Sequence, residues 1–291
     1  MNVARCFPIA LAALLTVSSA MAIDFSTLWD YAQPELSETR FRDALAQASS
    51  DDALILQTQI ARTFGLRLRF DDARAILASI EPCISAASAQ ARTRYFLELG
   101  RTHASPVHPA EAKTQANRES ARSHYMRAFQ IARDAGLDVL AIDALHMMTV
   151  VDTEPAQQLE WNRKAIDFME QSSQPAAKRW EASLRNNVGY ASHLNGDYDE
   201  ALRQFQLSLA AHERAGNVQA IRIAHWMIAW TYRAQRRYAD AIAIQLRLER
   251  EWDEAGHPSA YVFEELEHLY RSVHDEAKAV HYQQRLASVR P

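Results

Sequence analysis

Apolar residues recur along the chain in runs whose spacing places them on one side of a helix. Short polar turns separate the runs, and one composite pattern returns at residues 60–82, 188–209, 229–248 and 266–286. Each copy holds an apolar helical stretch, a short turn and a second helix. In two of them the second helix opens on aromatic-Asp-x-Ala, as Phe70-Asp71-Asp72-Ala73 and Tyr198-Asp199-Glu200-Ala201. Ala73, Ala201, Ala241 and Ala279 mark the equivalent point in each second helix, with 40 residues from Ala201 to Ala241 and 38 from Ala241 to Ala279. A fixed period of this size is the signature of a stacked repeat, and it is sought before any single motif.

Two more pairs are legible in weaker form. One occupies residues 92–100 and resumes at 120–132, with a polar insert at 104–117 between its halves. The other occupies 139–152 and 155–170. Its turn, Asp152-Thr153-Glu154-Pro155, reads as a helix stop followed by a proline at the next helix start. Residues 25–48 read as a starting helix or cap. The expectation is an all-α superhelical solenoid of about six helix pairs over residues 51–291, preceded by an N-terminal helical cap at 23–50.

Composition agrees with helices. The 291 residues include only 7 glycines and 9 prolines, too few turn-formers for a β-sandwich or a dinucleotide-binding α/β fold. Apolar residues make up 48% and charged residues 23%, as in a folded globular chain. The formal charge of −4 and pI near 6.3 give no basic footprint, so nucleic acid is not an expected partner.

Residues 1–22 read as a secretory signal: Arg5, an apolar run at 6–17, and the small-x-small ending Ala20-Met21-Ala22. The run is too short to span a bilayer. Cleavage after Ala22 is expected, with a periplasmic or secreted product and no membrane span remaining. Cys6 would leave with the leader, so Cys83 would have no intramolecular disulfide partner and reads as a packed small residue.

The repeated strings resemble the tetratricopeptide repeat, best at Val188, Gly189, Gly196, Tyr198, Ala201, Phe205 and Leu209. The strings Leu28-Trp29-Asp30-Tyr31, Glu160-Trp161-Asn162 and Arg222-Ile223-Ala224-His225-Trp226 also look like a group of bacterial tetratricopeptide proteins. That second resemblance supplies a fold and no substrate. The family implies that the first helix of each pair lines a concave face. On that register the face carries Thr58, Gln59 and Arg62; then Arg94, Glu98 and Arg101; then Asp143, His146 and Met147. Farther along come Asn186, Asn187, Tyr190 and His193; Trp226, Trp230 and Arg233; and Glu264, His268 and Arg271.

Arg62 and Arg101 fall at one repeat position and would form a short cationic ladder for carboxylate or phosphate. Asn186 and Asn187 offer donors and acceptors to a peptide backbone, or cap neighbouring backbone instead. Trp226 and Trp230, one turn apart, make an apolar platform with N–H donors, or ordinary inter-repeat core. Charged positions such as Arg94 and Glu98, four apart, also suit internal pairing, as do Asp143 and His146. A specialised branch of the family binds C-terminal carboxylates with lysine and asparagine. Asn187 falls at one such position, but Asp143, Ile223 and Met227 stand where cations are needed, so that specialisation is excluded.

Enzyme signatures are absent. There is no His-Glu-x-x-His, no pair of cysteines at zinc spacing, no Gly-x-Ser-x-Gly and no phosphate loop. The leading expectation is therefore a non-enzymatic periplasmic adaptor that holds a peptide or protein segment on its concave face, with no cofactor and no metal. The alternative is a small-molecule-binding protein or enzyme using Glu98, Asp143, His146 and Glu264, which requires those groups to converge. A structural spacer is a third reading, marked by a plain inner face and an apolar patch outside it.

Overall fold

The computed structural model of the chain describes residues 23–289, and the expected leader at 1–22 lies outside them. Among the described residues the chain is helical, with no strand. A 3₁₀ turn, Phe25–Leu28, leads into α1 (Pro34–Leu45). Three helix pairs follow: α2 (Ser50–Leu66) with α3 (Phe70–Ile84), α4 (Ala89–His103) with α5 (Gln115–Asp134), and α6 (Asp138–Val151) with α7 (Pro155–Gln171). After a one-turn helix α8 (Pro175–Lys178) come α9 (Glu181–Leu194) with α10 (Tyr198–Ala215), α11 (Val218–Ala234) with α12 (Tyr238–Glu254), and α13 (Ala260–Ser272) with α14 (Glu276–Val289).

Local chemistry fixes the helix ends. Ser49 Oγ accepts the Asp52 N–H at 3.1 Å, Thr114 Oγ1 that of Asn117 at 3.2 Å, and Asp197 Oδ1 that of Glu200 at 3.2 Å. Each satisfies one of the orphan donors of a first turn. Inside four of the pairs the turn passes through a left-handed residue: Leu68, Gly196, Arg236 and His274, with φ between 60° and 81°. Only one of these is glycine, so the other three hold a conformation that their side chains disfavour.

Small residues set the distance between paired helices. A Cβ on Gly189 would stand 2.6 Å from Phe205 Cε1, and one on Gly100 would overlap the Tyr125 ring. Ala73, Ala201, Ala241 and Ala279 are at most 1% exposed, as their shared position requires. The core is serial. One buried cluster joins α1 through α4 around Leu56, Ile60 and Leu77, the next joins α4 to α6 around Tyr125 and Met148, and others follow to Leu286. Each pair therefore buries its apolar side only against its neighbours, which is the energetics of a solenoid.

Two expectations need correction. Cys83 is exposed, because it follows Pro82 near the end of α3 on the side away from the core. The insert is shorter, 104–114, and its centre is packed rather than polar surface. His108 is 6% exposed and stacks on Phe70 with ring centroids 3.9 Å apart. Its Nδ1 accepts the Ser105 N–H at 3.1 Å, so Nε2 carries the proton and donates to Thr102 O at 3.2 Å. Burial pushes its pKa below the ordinary histidine value.

Candidate functional site

The first helices α2, α4, α6, α9, α11 and α13 bring the sequence-derived residues into two zones of different chemistry.

The first zone spans α2, α4 and α6 and is charged. Arg101 Nη1 donates to Glu98 Oε1 at 2.5 Å, and Arg101 Nη2 donates to both Asp143 oxygens at 2.6 and 2.7 Å. Arg62 Nη1 reaches the same Glu98 oxygen at 3.4 Å. Glu98 thus stands between Arg62 and Arg101. The expected cationic ladder does not form, because two stacked guanidinium groups repel and a buried carboxylate neutralises them. Arg94 does not pair with Glu98 as their spacing suggested, since Glu98 turns to the other two arginines. Nor does Asp143 pair with His146; the bidentate fork of Arg101 takes it instead.

The electrostatics follow from this geometry. Burial alone would raise the Asp143 pKa, but Arg101 and Arg62 overcome it and hold the carboxyl below its usual range. Burial likewise works against charge on Arg101, and Asp143 and Glu98 more than restore it. His146 sits beside Trp180, ring centroids 5.4 Å apart, and burial lowers its pKa. Its Nδ1 lies 3.4 Å from Asn187 Nδ2, which is also 3.4 Å from Asn162 Oδ1. Asn187 therefore bridges helices rather than facing a partner.

The second zone is aromatic. Tyr190 on α9 stacks with Trp230 on α11 at 5.8 Å, Trp230 with Trp226 at 6.0 Å, and Trp226 meets Tyr261 of α13 edge-on at 6.5 Å. The row is open at its ends: Tyr190 is 45% and Tyr261 72% exposed. Both tryptophans are half-buried, packing on the cluster of Phe205, Met227 and Ile228 while leaving part of each ring uncovered. The Trp226 N–H is spent internally on Tyr261 O at 3.1 Å. Beside it lies a cavity of about 550 Å³ walled by Ile223, Trp226, Trp252 and Tyr261. The side-chain amide of Asn186, one turn before Tyr190, makes no hydrogen bond among the described residues.

His193 supports this row from beneath. Its ring stacks on Trp230 at 3.3 Å. Thr231 Oγ1 donates its hydrogen to Met227 O at 2.9 Å, so it accepts the His193 Nδ1–H at 3.1 Å. Burial, then Arg233, pushes the His193 pKa down to about 4, leaving a neutral ring against the indole. Arg233 itself is held by the 3%-exposed Glu265, Nε to Oε1 at 2.6 Å, and faces inward rather than toward a partner.

Of the four groups in the enzyme alternative, Glu98, Asp143 and His146 gather around Arg101. Glu264 stands apart on α13, whose main packing partners are α11, α12 and α14. Among the described residues no group of three His, Cys, Asp or Glu side chains is placed to hold a metal ion, and no helix is long and apolar enough to cross a membrane. Sequence reasoning missed Trp29, Tyr31 and Trp180, which border the charged zone, and Tyr261, which completes the aromatic row. The first three lie outside the first helices. Tyr261, three residues before Glu264 on α13, shares the face register of Glu264 and His268, and continuing that register one turn toward the helix start would have found it.

Residues 180–250 match the tetratricopeptide repeat family profile. A search of curated proteins found no sequence match. Similar solved structures include the apo form of RapI, with 14% identity, a TM-score of 0.69, and coverage of 90% of this chain and 72% of that one. A Rap protein complexed with Competence and Sporulation Factor has 12% identity and a TM-score of 0.57, covering 91% and 74%. A signal transduction ATPase with a tetratricopeptide repeat sensor from Pyrococcus horikoshii has 10% identity and a TM-score of 0.66; the overlap covers 87% of this chain but only 38% of the ATPase. At such identities the likeness establishes the helical-repeat fold alone.

Proposed function

We propose that this tetratricopeptide-repeat chain is a non-enzymatic adaptor that captures a peptide or protein segment along the face of its first helices. The observation that carries the reading is the aromatic row Tyr190–Trp230–Trp226–Tyr261, exposed at both ends and flanked by the unused amide of Asn186. Rigid, half-buried aromatics give large contact area at little entropic cost and are the usual anchors of such interfaces. An amide without an internal hydrogen bond, one turn from Tyr190, suits an extended or helical segment. The Rap protein complexed with Competence and Sporulation Factor supports the reading by analogy, as a chain of this fold with a bound partner.

The adaptor is proposed to work in the periplasm or outside the cell, on the strength of the leader-like residues 1–22. The test is affinity capture from periplasmic extract with the parent chain and the Tyr190→Ala, Tyr261→Ala double variant side by side. These two side chains are exposed, so the fold should survive. Loss of an anchor of this kind costs about 2 kcal/mol or more of binding, and capture should vanish. Equal capture by both chains would sink the proposal.

A further inference from the structure

Arg94 is a cation without a hydrogen-bonded partner, attracted only at a distance by Glu98 and Asp143. Its guanidinium makes no hydrogen bond or ion pair among the described residues, and its Nε is sealed from solvent without a partner. The nearest aromatic face is Phe25, 5.9 Å from the guanidinium carbon. Arg62 is nearly as idle: one long contact to Glu98 and an Nε that is buried and unpartnered. Proteins seldom leave buried donors unused, and each such group asks for an explanation.

Both arginines line one cavity of about 390 Å³ between the N-terminal segment and α2, α4 and α6. Its floor is the Arg101–Glu98–Asp143 network. Three guanidinium groups face two carboxylates there, a formal excess of one positive charge. Its walls are flat and apolar: Trp29 and Tyr31 stack at 4.6 Å and 2°, with the Arg62 guanidinium carbon 6.0 Å from each ring, and Phe25 and Trp180 close the other sides. The Trp29 N–H is fixed on Gln59 Oε1 at 3.0 Å, which holds this wall in place.

We infer that this cavity binds a small organic monocarboxylate with a flat apolar body, its carboxylate taken by Arg94 and Arg62. A single negative charge closes the balance left by the network, whereas a phosphate dianion would overshoot it. The planar guanidinium fork of Arg94 matches a carboxylate in bidentate geometry. A volume near the lower end of ligand pockets, with aromatic walls, suits one ring rather than a long chain. Burial works against the charge on Arg94 and lowers its pKa, so a bound anion would relieve that charge. No residue of this cavity belongs to the aromatic row, and the site stands or falls without it.

Isothermal titration of the intact chain separates the outcomes. The probes are phenylacetate, phenylacetamide, the peptide acetyl-Gly-Gly-Phe, its C-terminal amide, and inorganic phosphate. Saturable binding of phenylacetate, at least about tenfold tighter than the amide and not displaced by phosphate, is the expected result. Binding by the free-acid peptide and not by phenylacetate would assign the same carboxylate chemistry to a chain end. Arg94→Gln should weaken whichever carboxylate binds by about tenfold or more, while Arg94→Lys, which keeps the charge but loses the fork, should fall between. Equal binding of acids and amides, or saturable binding of neither, overturns the inference. That comparison needs no variant and holds even if Arg94→Gln folds poorly.

Discussion

Arg101 governs the charged zone, because its three hydrogen bonds hold both buried carboxylates and include the only ones that Asp143 accepts from a cation among the described residues. Its side chain is 11% exposed and that of Glu98 5%. Removing one member of such a network leaves the others uncompensated, so Arg101→Met should destabilise the chain by about 3–5 kcal/mol in denaturant melts. Gly189 makes a different demand. A methyl group there meets the Phe205 ring at 2.6 Å, and overpacking of this kind costs about 1–3 kcal/mol. Gly189→Ala should lower the melting midpoint accordingly. His193 sets a pH response. Its folded pKa near 4 lies below the ordinary 6.5, so the unfolded chain binds more protons between those values. Stability from this residue is complete above pH 6.5 and is lost as pH falls toward 4, at up to about 1.4 kcal/mol per pH unit. His193→Gln should flatten that slope in melts compared between pH 7 and pH 4.5.

Among the elements, the pair turns are where sequence and structure pull apart. Leu68 is 56% exposed and sits at φ 61°, a conformation that costs a branched side chain about 1–2 kcal/mol. Glycine there would add about 0.4–1 kcal/mol of chain entropy to the unfolded state, so the strain relief wins. Leu68→Gly should raise stability by about 0.5–1 kcal/mol, and an unchanged or lower midpoint would show that the Leu68 side chain contributes packing that offsets the strain. The helix pairs themselves were legible in the sequence, since period, small crossing residues and aromatic-Asp-x-Ala openings all point to one geometry. Even the weak third pair falls where its proline indicated, with Pro155 in the first turn of α7. The one-turn helix α8 carried no periodic signal. The face residues were legible as a set, because helical spacing decides which side a residue takes. Their partners were not. Arg94 and Arg101 both lie within one turn of Glu98 on α4, so spacing offered two partners; which one Glu98 takes, and that Arg62 joins it, depends on how neighbouring helices stack, which no single-helix spacing encodes.

For the whole molecule, the face of the first helices divides into an ion-paired N-terminal zone and an aromatic C-terminal zone. The aromatic zone is the proposed capture surface, and the N-terminal cavity is a separate carboxylate site. Photo-crosslinking tests the capture claim most directly. The photoreactive analogue p-benzoylphenylalanine is placed at Tyr190, at Tyr261, or at Arg203 on α10, whose side chain is 60% exposed. The account predicts that partner crosslinks form from positions 190 and 261 and not from 203. Crosslinks from 203 alone, or from all three alike, would contradict it.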